Sequence, residues 1–380
     1  MQRSRTAILI LGGTVAGLIL GELGLRVISP VPDPYVHFKN SVQNPYIVSQ
    51  FERNLHFVTE TEQGLPGISG RKSFRTNNMG FRGDSLVIPK PENEYRVFLV
   101  GGSAAECLYL DDSESIDAVL QRQLNREIGK GRTTKVFNAG KSGDRSFDHV
   151  SMIAHRLVHL QPDVIVLFAG VNDLIASLNR VDYLLYPVTG PDPSLSVPPF
   201  WKLLATDLQI FRRLHALLKK KEPASILEEI PLKSNHRRLV DFVHSFPESD
   251  KKPEVDLTPY ATNLRTIIGV ARAHGITLVF MTQPSTWDSS EDPGIVSWQW
   301  MLYAGGVRYG PASLAKALRS YNELMKTIAT ENSIPVFDMA SALPMTREFF
   351  YDDVHFNVHG AQVAGEKFAA FMKNHHLTPD

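Results

Sequence analysis

The sequence predicts a three-layer α/β domain built on a doubly wound parallel sheet and preceded by a transmembrane helix. Two observations carry the sheet. From residue 95 onward, five compact apolar runs alternate with helical patterns, as βα-type folds do. Each run is rich in Val, Ile, Leu or Phe over most of its length, as a strand covered on both faces requires. A third observation carries the leading helix: residues 6–21 contain no charge.

In chain order, the N-terminal apolar stretch follows Arg3 and Arg5 and continues past Glu22 and Arg26 to Ile28. Read as one helix, residues 7–28 are long enough to cross a bilayer with some tilt. Glu22 and Arg26 stand four apart and can pair on one helix face near the interface. A cleaved signal peptide is the alternative, but it wants a small-x-small site after the apolar core, and Pro30 follows the only plausible small residue, Ser29. A retained anchor is therefore favoured. The arginines before the segment favour a cytoplasmic N-terminus and an extracytoplasmic catalytic domain, a bias that Arg26 and Lys39 on the other side weaken.

Residues 29–35 (SPVPDPY) read as a stiff Pro-rich tether, and 36–94 as a lead-in of short strands and loops with turn signals GLPG (64–67) and NNMG (77–80). The catalytic domain is expected over 95–380. Its strands fall at 95–100, 134–138, 163–169, 276–281 and 334–338. Its helices fall at about 114–128, 146–160, 258–274, 312–331 and 358–373. Residues 180–256 break the alternation as an insertion. They include a helix near 200–221 with Trp201, Leu204, Leu208, Phe211, Leu214 and Leu218 on one face. It reads as a cap packed on the domain or, given Arg212, Arg213 and Lys219–Lys221 beside the aromatics, as a membrane-surface helix.

Composition narrows the function. Forty basic residues balance forty acidic ones, so no broad basic face argues for nucleic acid. The single cysteine, Cys107, excludes an intrachain disulfide and a Cys-based zinc cluster. An isolated cysteine is usually a small buried hydrophobe.

The chemistry gathers at the carboxyl ends of the expected strands, the edge where open α/β sheets bind ligands. Strand one runs into Gly101-Gly102-Ser103, strand two into NAGKSGDRS (138–146), and strand three into AGVND (169–173). The last strand leads to a loop carrying YDDVHFNVHG (351–360). Each piece has a structural reading. Ser103 with Glu106 forms a capping-box pattern, and Asn172-Asp173 suits the start of a helix. GGSAAE lacks the third glycine of a dinucleotide fingerprint, and GKS (140–142) has Lys135 where a P-loop needs glycine. Asp352, Asp353, His355 and His359 lack the further ligand cluster that a metal site wants, so no metal and no cofactor is expected. Together, however, the pieces supply what ester cleavage needs: a hydroxyl, an imidazole suited to neutral pH, a carboxylate to fix its tautomer, and N–H donors for an oxyanion.

Taken in order, GGS (101–103), SGD (142–144), GVND (170–173) and DDVH (352–355) resemble the blocks of the SGNH, or GDSL-like, hydrolases over about residues 75–373. The resemblance implies a flavodoxin-like fold and a Ser–His–Asp triad. Carried over, Ser103 is the nucleophile and an oxyanion donor through its own N–H, Gly143 gives a second N–H, and Asn172 gives a side-chain N–H. His355 is the base and Asp352 its orienter. Asp353 stands only two residues before His355, and Gly360 and Asn357 put His359 at the start of the last helix, so neither is expected in the triad. The first block departs from the family, which commonly has Asp where Gly102 stands. The expected function is a membrane-anchored esterase or deacylase acting on a small-molecule, lipid or glycan ester. The rivals are acyl transfer to a cell-surface glycan and a silent glycan- or lipid-binding module. TQPSTW (282–287) is expected to line the pocket.

Overall fold

The structure, a computed structural model, describes residues 2–28, 30–31, 50–126, 132–180, 207–218, 232–233, 236–288 and 292–379. Most of the Pro-rich tether, Trp201, Leu204 and Lys219–Lys221 lie outside the described residues. The chain divides into two compact units, 42–188 with 231–380 and 1–41 with 189–230.

The larger unit holds the sheet. Its strands are β1 (Glu94–Gly101), β2 (Thr133–Asn138), β3 (Val164–Phe168), β4 (Thr277–Met281) and β5 (Val336–Phe337). All pair in parallel, in the order β5-β4-β3-β1-β2. This is the flavodoxin-like order, with its switch point between β1 and β3. Period-two alternation explains the apolar runs. Phe98, Val100, Phe137, Ile165, Leu167, Leu278 and Phe280 enter one core. Val97, Leu99, Val136, Val164, Val166, Val279 and Met281 enter the other, on the opposite face. Helices Ser146–His155, Thr258–Ala273 and Pro311–Glu331 supply Met152, Leu264 and Leu318 to the first core. Helices Ile116–Asn125 and Val358–Asn374 supply Leu120 and Phe368 to the second.

The fifth strand is shorter than its apolar run. Pro335 has no N–H to give, which suits an edge position, and only Val336 and Phe337 join the ladder beside Phe280 and Met281. Arg96, inside β1, is fully buried. Its guanidinium is met by the Glu94 carboxylate at 2.6 Å and the carbonyls of Leu160 and Val87 at 2.5 and 2.9 Å.

Residues 50–94 belong to this unit as well. Strands His56–Glu60 and Arg71–Arg75 pair antiparallel, and Leu232–Lys233 joins the former in parallel. The GLPG and NNMG signals are turns, with Gly64 and Gly80 both at positive φ. Arg82 ties the segment to the loop after Ser103. It is almost wholly buried and donates to the carbonyls of Glu106 and Cys107, both at 2.8 Å, and of Leu110 at 3.1 Å. The Phe74 ring covers the guanidinium at 4.5 Å.

In the smaller unit, residues Gln2–Ile28 form one helix, and Glu22 and Arg26 pair at 2.8 Å. Leu9–Ile28 is the one helix among the described residues that is long and apolar enough to cross a membrane. The helix expected near 200–221 is seen as Gln209–Leu218 and falls in this unit, not in that of the sheet.

Arg82→Met keeps most of the side-chain volume but leaves buried carbonyls without donors, so the folded state should lose about 2–4 kcal/mol. Urea unfolding measures this, and an unchanged midpoint would show that these hydrogen bonds do not hold the segment.

Candidate active site

The site stands at the switch point, on the loops that leave β1, β2 and β3. Ser103 opens a single helical turn, Ser103–Glu106, whose N-cap residue is Gly102. The capping-box reading of Ser103 does not hold. Its hydroxyl lies 2.8 Å from His355 Nε2, and the Glu106 carboxylate takes the Ser142 hydroxyl instead. Lys141 of the GKS run sits over the Phe51 ring at 3.9 Å.

Behind His355 stands Asp352, fully buried. His355 Nδ1 is 2.8 and 2.7 Å from its two oxygens. Asp352 Oδ1 also accepts the backbone N–H groups of Val354 and His355 at 3.0 and 2.9 Å, and Oδ2 accepts Trp300 Nε1–H at 3.0 Å. Burial opposes the charge on Asp352, but the His355 imidazole beside it and these donors outweigh that and hold the carboxyl at about 2. Desolvation likewise opposes protonation of His355, yet the Asp352 charge raises its pKa above the ordinary imidazole value. Tyr351 stacks on the imidazole with ring centroids 5.4 Å apart.

The segments after β2 and β3 carry Gly143 and Asn172. Gly143 occupies the positive-φ position (+83°) of a turn closed by Asp144 N–H to the Lys141 carbonyl at 3.1 Å, a conformation that favours glycine. Asn172 follows Gly170 at the start of helix Val171–Leu178 and donates one side-chain N–H to the Asp144 carbonyl at 2.8 Å. Its neighbour Asp173 accepts the backbone N–H of Ser146 at 3.1 Å. Both polar residues of GVND therefore bind the β2 loop to the β3 loop. A Cβ on Gly102 would stand 2.4 Å from Asn172 Nδ2. Gly102 thus leaves the Asn172 amide lying against the backbone just before Ser103, where a Cβ would make that amide shift.

The structure brings together Ser103, His355 and Asp352 in one line of contacts. It separates the neighbours expected outside the triad. His359 is exposed, 3.5 Å from Glu348. Asp353 is fully buried and faces the other way: it accepts Trp287 Nε1–H and Trp300 N–H, both at 2.7 Å, and Met301 N–H at 3.2 Å. Asp353 is therefore a support for the Trp300 loop. Within the TQPSTW segment, Trp287 is buried and donates to Asp353, whereas Gln283 and Ser285 line a cavity together with Arg319 and Asp338. Sequence reasoning missed two neighbours. One is Trp300. The other is His236, from the second half of the insertion, whose buried Nε2 is 3.3 Å from Asp352 Oδ2 in an electrostatic contact without hydrogen-bond geometry. Burial lowers the pKa of His236, and the Asp352 charge opposes that. Nothing in the sequence ties either residue to DDVH across more than fifty positions.

A parallel α/β sheet with serine, imidazole and buried carboxylate in line at its switch point is the arrangement of serine hydrolases. The profile of the GDSL-like Lipase/Acylhydrolase family matches residues 99–363, and the chain belongs to that family. The matched family is one of ester-cleaving hydrolases. Among solved structures, the acetylxylan esterase Axe2 of Geobacillus stearothermophilus is 15% identical, with 73% of this chain and 93% of that one covered and a TM-score of 0.41. The lipase/acylhydrolase of Enterococcus faecalis is 14% identical, with 74% and 96% covered and a TM-score of 0.41. A search of curated proteins gave no match.

Trp300→Phe removes one donor from Asp352 and makes that carboxylate a stronger partner for a charged imidazole. The His355 pKa should therefore rise further, moving the acid limb of kcat/KM to higher pH by up to about one unit. A pH–rate profile on an acetyl ester checks this, and a limb at the wild-type position would separate Trp300 from the chemistry.

Proposed function

We propose that the protein is a membrane-anchored serine esterase or deacylase that works outside the cytoplasm through an acyl-enzyme. The observation that carries the reading is the 2.8 Å contact between Ser103 Oγ and His355 Nε2, with Asp352 on the other ring nitrogen. In this reading His355 takes the hydroxyl proton as Ser103 Oγ attacks the acyl carbonyl. Asp352 holds the imidazole in the tautomer that leaves Nε2 free and stabilises the imidazolium that forms. The developing oxyanion is met by the N–H groups of Ser103 and Gly143 and by Asn172 Nδ2. The imidazolium then protonates the departing alkoxide, and a water activated by His355 releases the acid.

The partners of this reading are an ester substrate, of small-molecule, lipid or glycan type, and a membrane. The helix Leu9–Ile28 supports the anchor by its length and apolar composition, and Arg3 and Arg5 support a cytoplasmic N-terminus.

A fluorophosphonate probe should label Ser103 in the wild type and nothing in Ser103→Ala, whose ester turnover should fall on the order of 10⁶-fold. Near wild-type turnover by the alanine variant would refute the triad, and turnover that requires an added alcohol acceptor would make the enzyme an acyltransferase.

The oxyanion assignment has its own test in Gly102→Asp, which restores the residue common in the family. It should displace the Asn172 amide and lower kcat by about 10²-fold or more, as Asn172→Ala should. If displacement is the cause, Gly102→Asp costs little more in an Asn172→Ala background, whereas additive losses in the double variant would point to another role for Gly102.

A further inference from the structure

The smaller unit carries a feature that the hydrolase reading leaves unused. Glu22, near the far end of the N-terminal helix, is largely buried although it sits in an apolar segment. Its two carboxylate oxygens accept the backbone N–H groups of Gln209 and Ile210 at 2.9 and 3.2 Å. These are orphan donors at the start of helix Gln209–Leu218. Arg26 pairs with Glu22 at 2.8 Å and donates to the Asp207 carbonyl at 2.9 Å. The Gln209 amide meets the backbone of Val31 in both directions, at 2.6 and 3.3 Å, and Arg212 donates to the Val31 carbonyl at 3.2 Å. The second helix is therefore fastened at its first turn to the end of the N-terminal helix. The carboxylate, costly in hydrocarbon, is neutralised by the same contacts.

We propose that helix Gln209–Leu218 lies in the membrane interface, with its Leu208, Phe211 and Leu214 face inserted among lipids. This rests on the reading of residues 7–28 as an anchor. Three observations choose a bilayer over other occupants. Leu208, Phe211 and Leu214 are 40%, 43% and 49% exposed and lie on one side of the helix, whereas Gln209, turned to the fastening, is 5% exposed. The fastening sets the depth: Glu22 lies six residues before Ile28, about 9 Å at the helical rise from the end of the apolar span, which is within the roughly 5–10 Å to which interfacial helices bury their apolar face. The exposed apolar face thus begins where the lipid-facing surface of the anchor, with Leu20, Leu23 and Val27 all exposed, comes to its end. Lys219–Lys221, which follow the helix in sequence, match anionic headgroups.

The test uses the full chain in vesicles of phosphatidylcholine with phosphatidylglycerol. Cys107 is buried, so single cysteines at Leu214, Val15 and Lys251 can carry an environment-sensitive fluorophore, the last as an exposed reference. The Leu214 label should be quenched by lipids with a shallow nitroxide and protected from aqueous iodide roughly fivefold relative to Lys251. The Val15 label should respond to deep nitroxides. If Val15 is in the bilayer while Leu214 is quenched by iodide like Lys251, the interfacial helix is wrong and the anchor stands. If Leu214 is shielded from iodide but untouched by nitroxide lipids, protein covers it, and the proposal fails in favour of a protein contact. If neither label meets lipid, the anchor fails and the interfacial helix fails with it.

Discussion

A carboxylate with no exposed surface must be met by donors from every side, and Asp352 sets that demand on the rest of the site. Its own loop supplies two backbone N–H groups and the imidazole of His355. The remaining side is closed by Trp300 and His236, which come from distant stretches of chain. Trp300 is in turn placed by Asp353, and the Trp300 loop is held through Met301 and Trp287. A charge stabilised this well cannot readily take the proton from His355, and so Asp352 can fix the imidazole without neutralising it.

The serine side of the site obeys a different constraint, one of space. Because both faces of the sheet are buried, the strands meet solvent only at their ends, and the loops from β1, β2 and β3 crowd at one edge. Gly102, Asn172 and the Asp144 carbonyl meet there with no room for a Cβ. A Cβ at position 102 would therefore require the Asn172 amide to shift from this pose.

The parts of this arrangement that are local in sequence were legible there. The five strands and the helices around them follow from apolar runs and their spacing, and Ser103, Asn172 and DDVH follow from their positions at strand ends. Chain proximity fixes one pairing: Asp352 reaches His355 because three residues of loop turn one towards the other. What was not legible depends on long-range packing. Arg82, Trp300 and His236 act through carbonyls and carboxylates far from them in sequence, as Arg96 does through the Leu160 carbonyl, and no periodicity marks them. The second half of the insertion looked like an interruption of the fold, yet it supplies a strand beside Thr59–Glu60 and the helix bearing His236. The shortening of β5 was legible in principle, since Pro335 is incompatible with an inner strand.

The adjacent carboxyls of DDVH show how environment divides identical groups. Burial opposes charge on both. Asp352 has the His355 imidazole and held N–H groups to outweigh it, and its pKa goes down. Asp353 has burial and the Asp352 charge pushing it up, against the donors of Trp300, Trp287 and Met301 pulling it down, and the net shift is upward. The consequences for stability have opposite sign. The depressed pKa of Asp352 contributes stability that is present above the ordinary carboxylate range and is lost as pH falls towards about 2. The raised pKa of Asp353 contributes stability present below the ordinary range, which fades as pH rises towards its folded value. Divergent pKa values in neighbouring acids commonly mark divided roles. Here one acid is built to stay charged beside the imidazole, and the other to hold the loop that keeps it so.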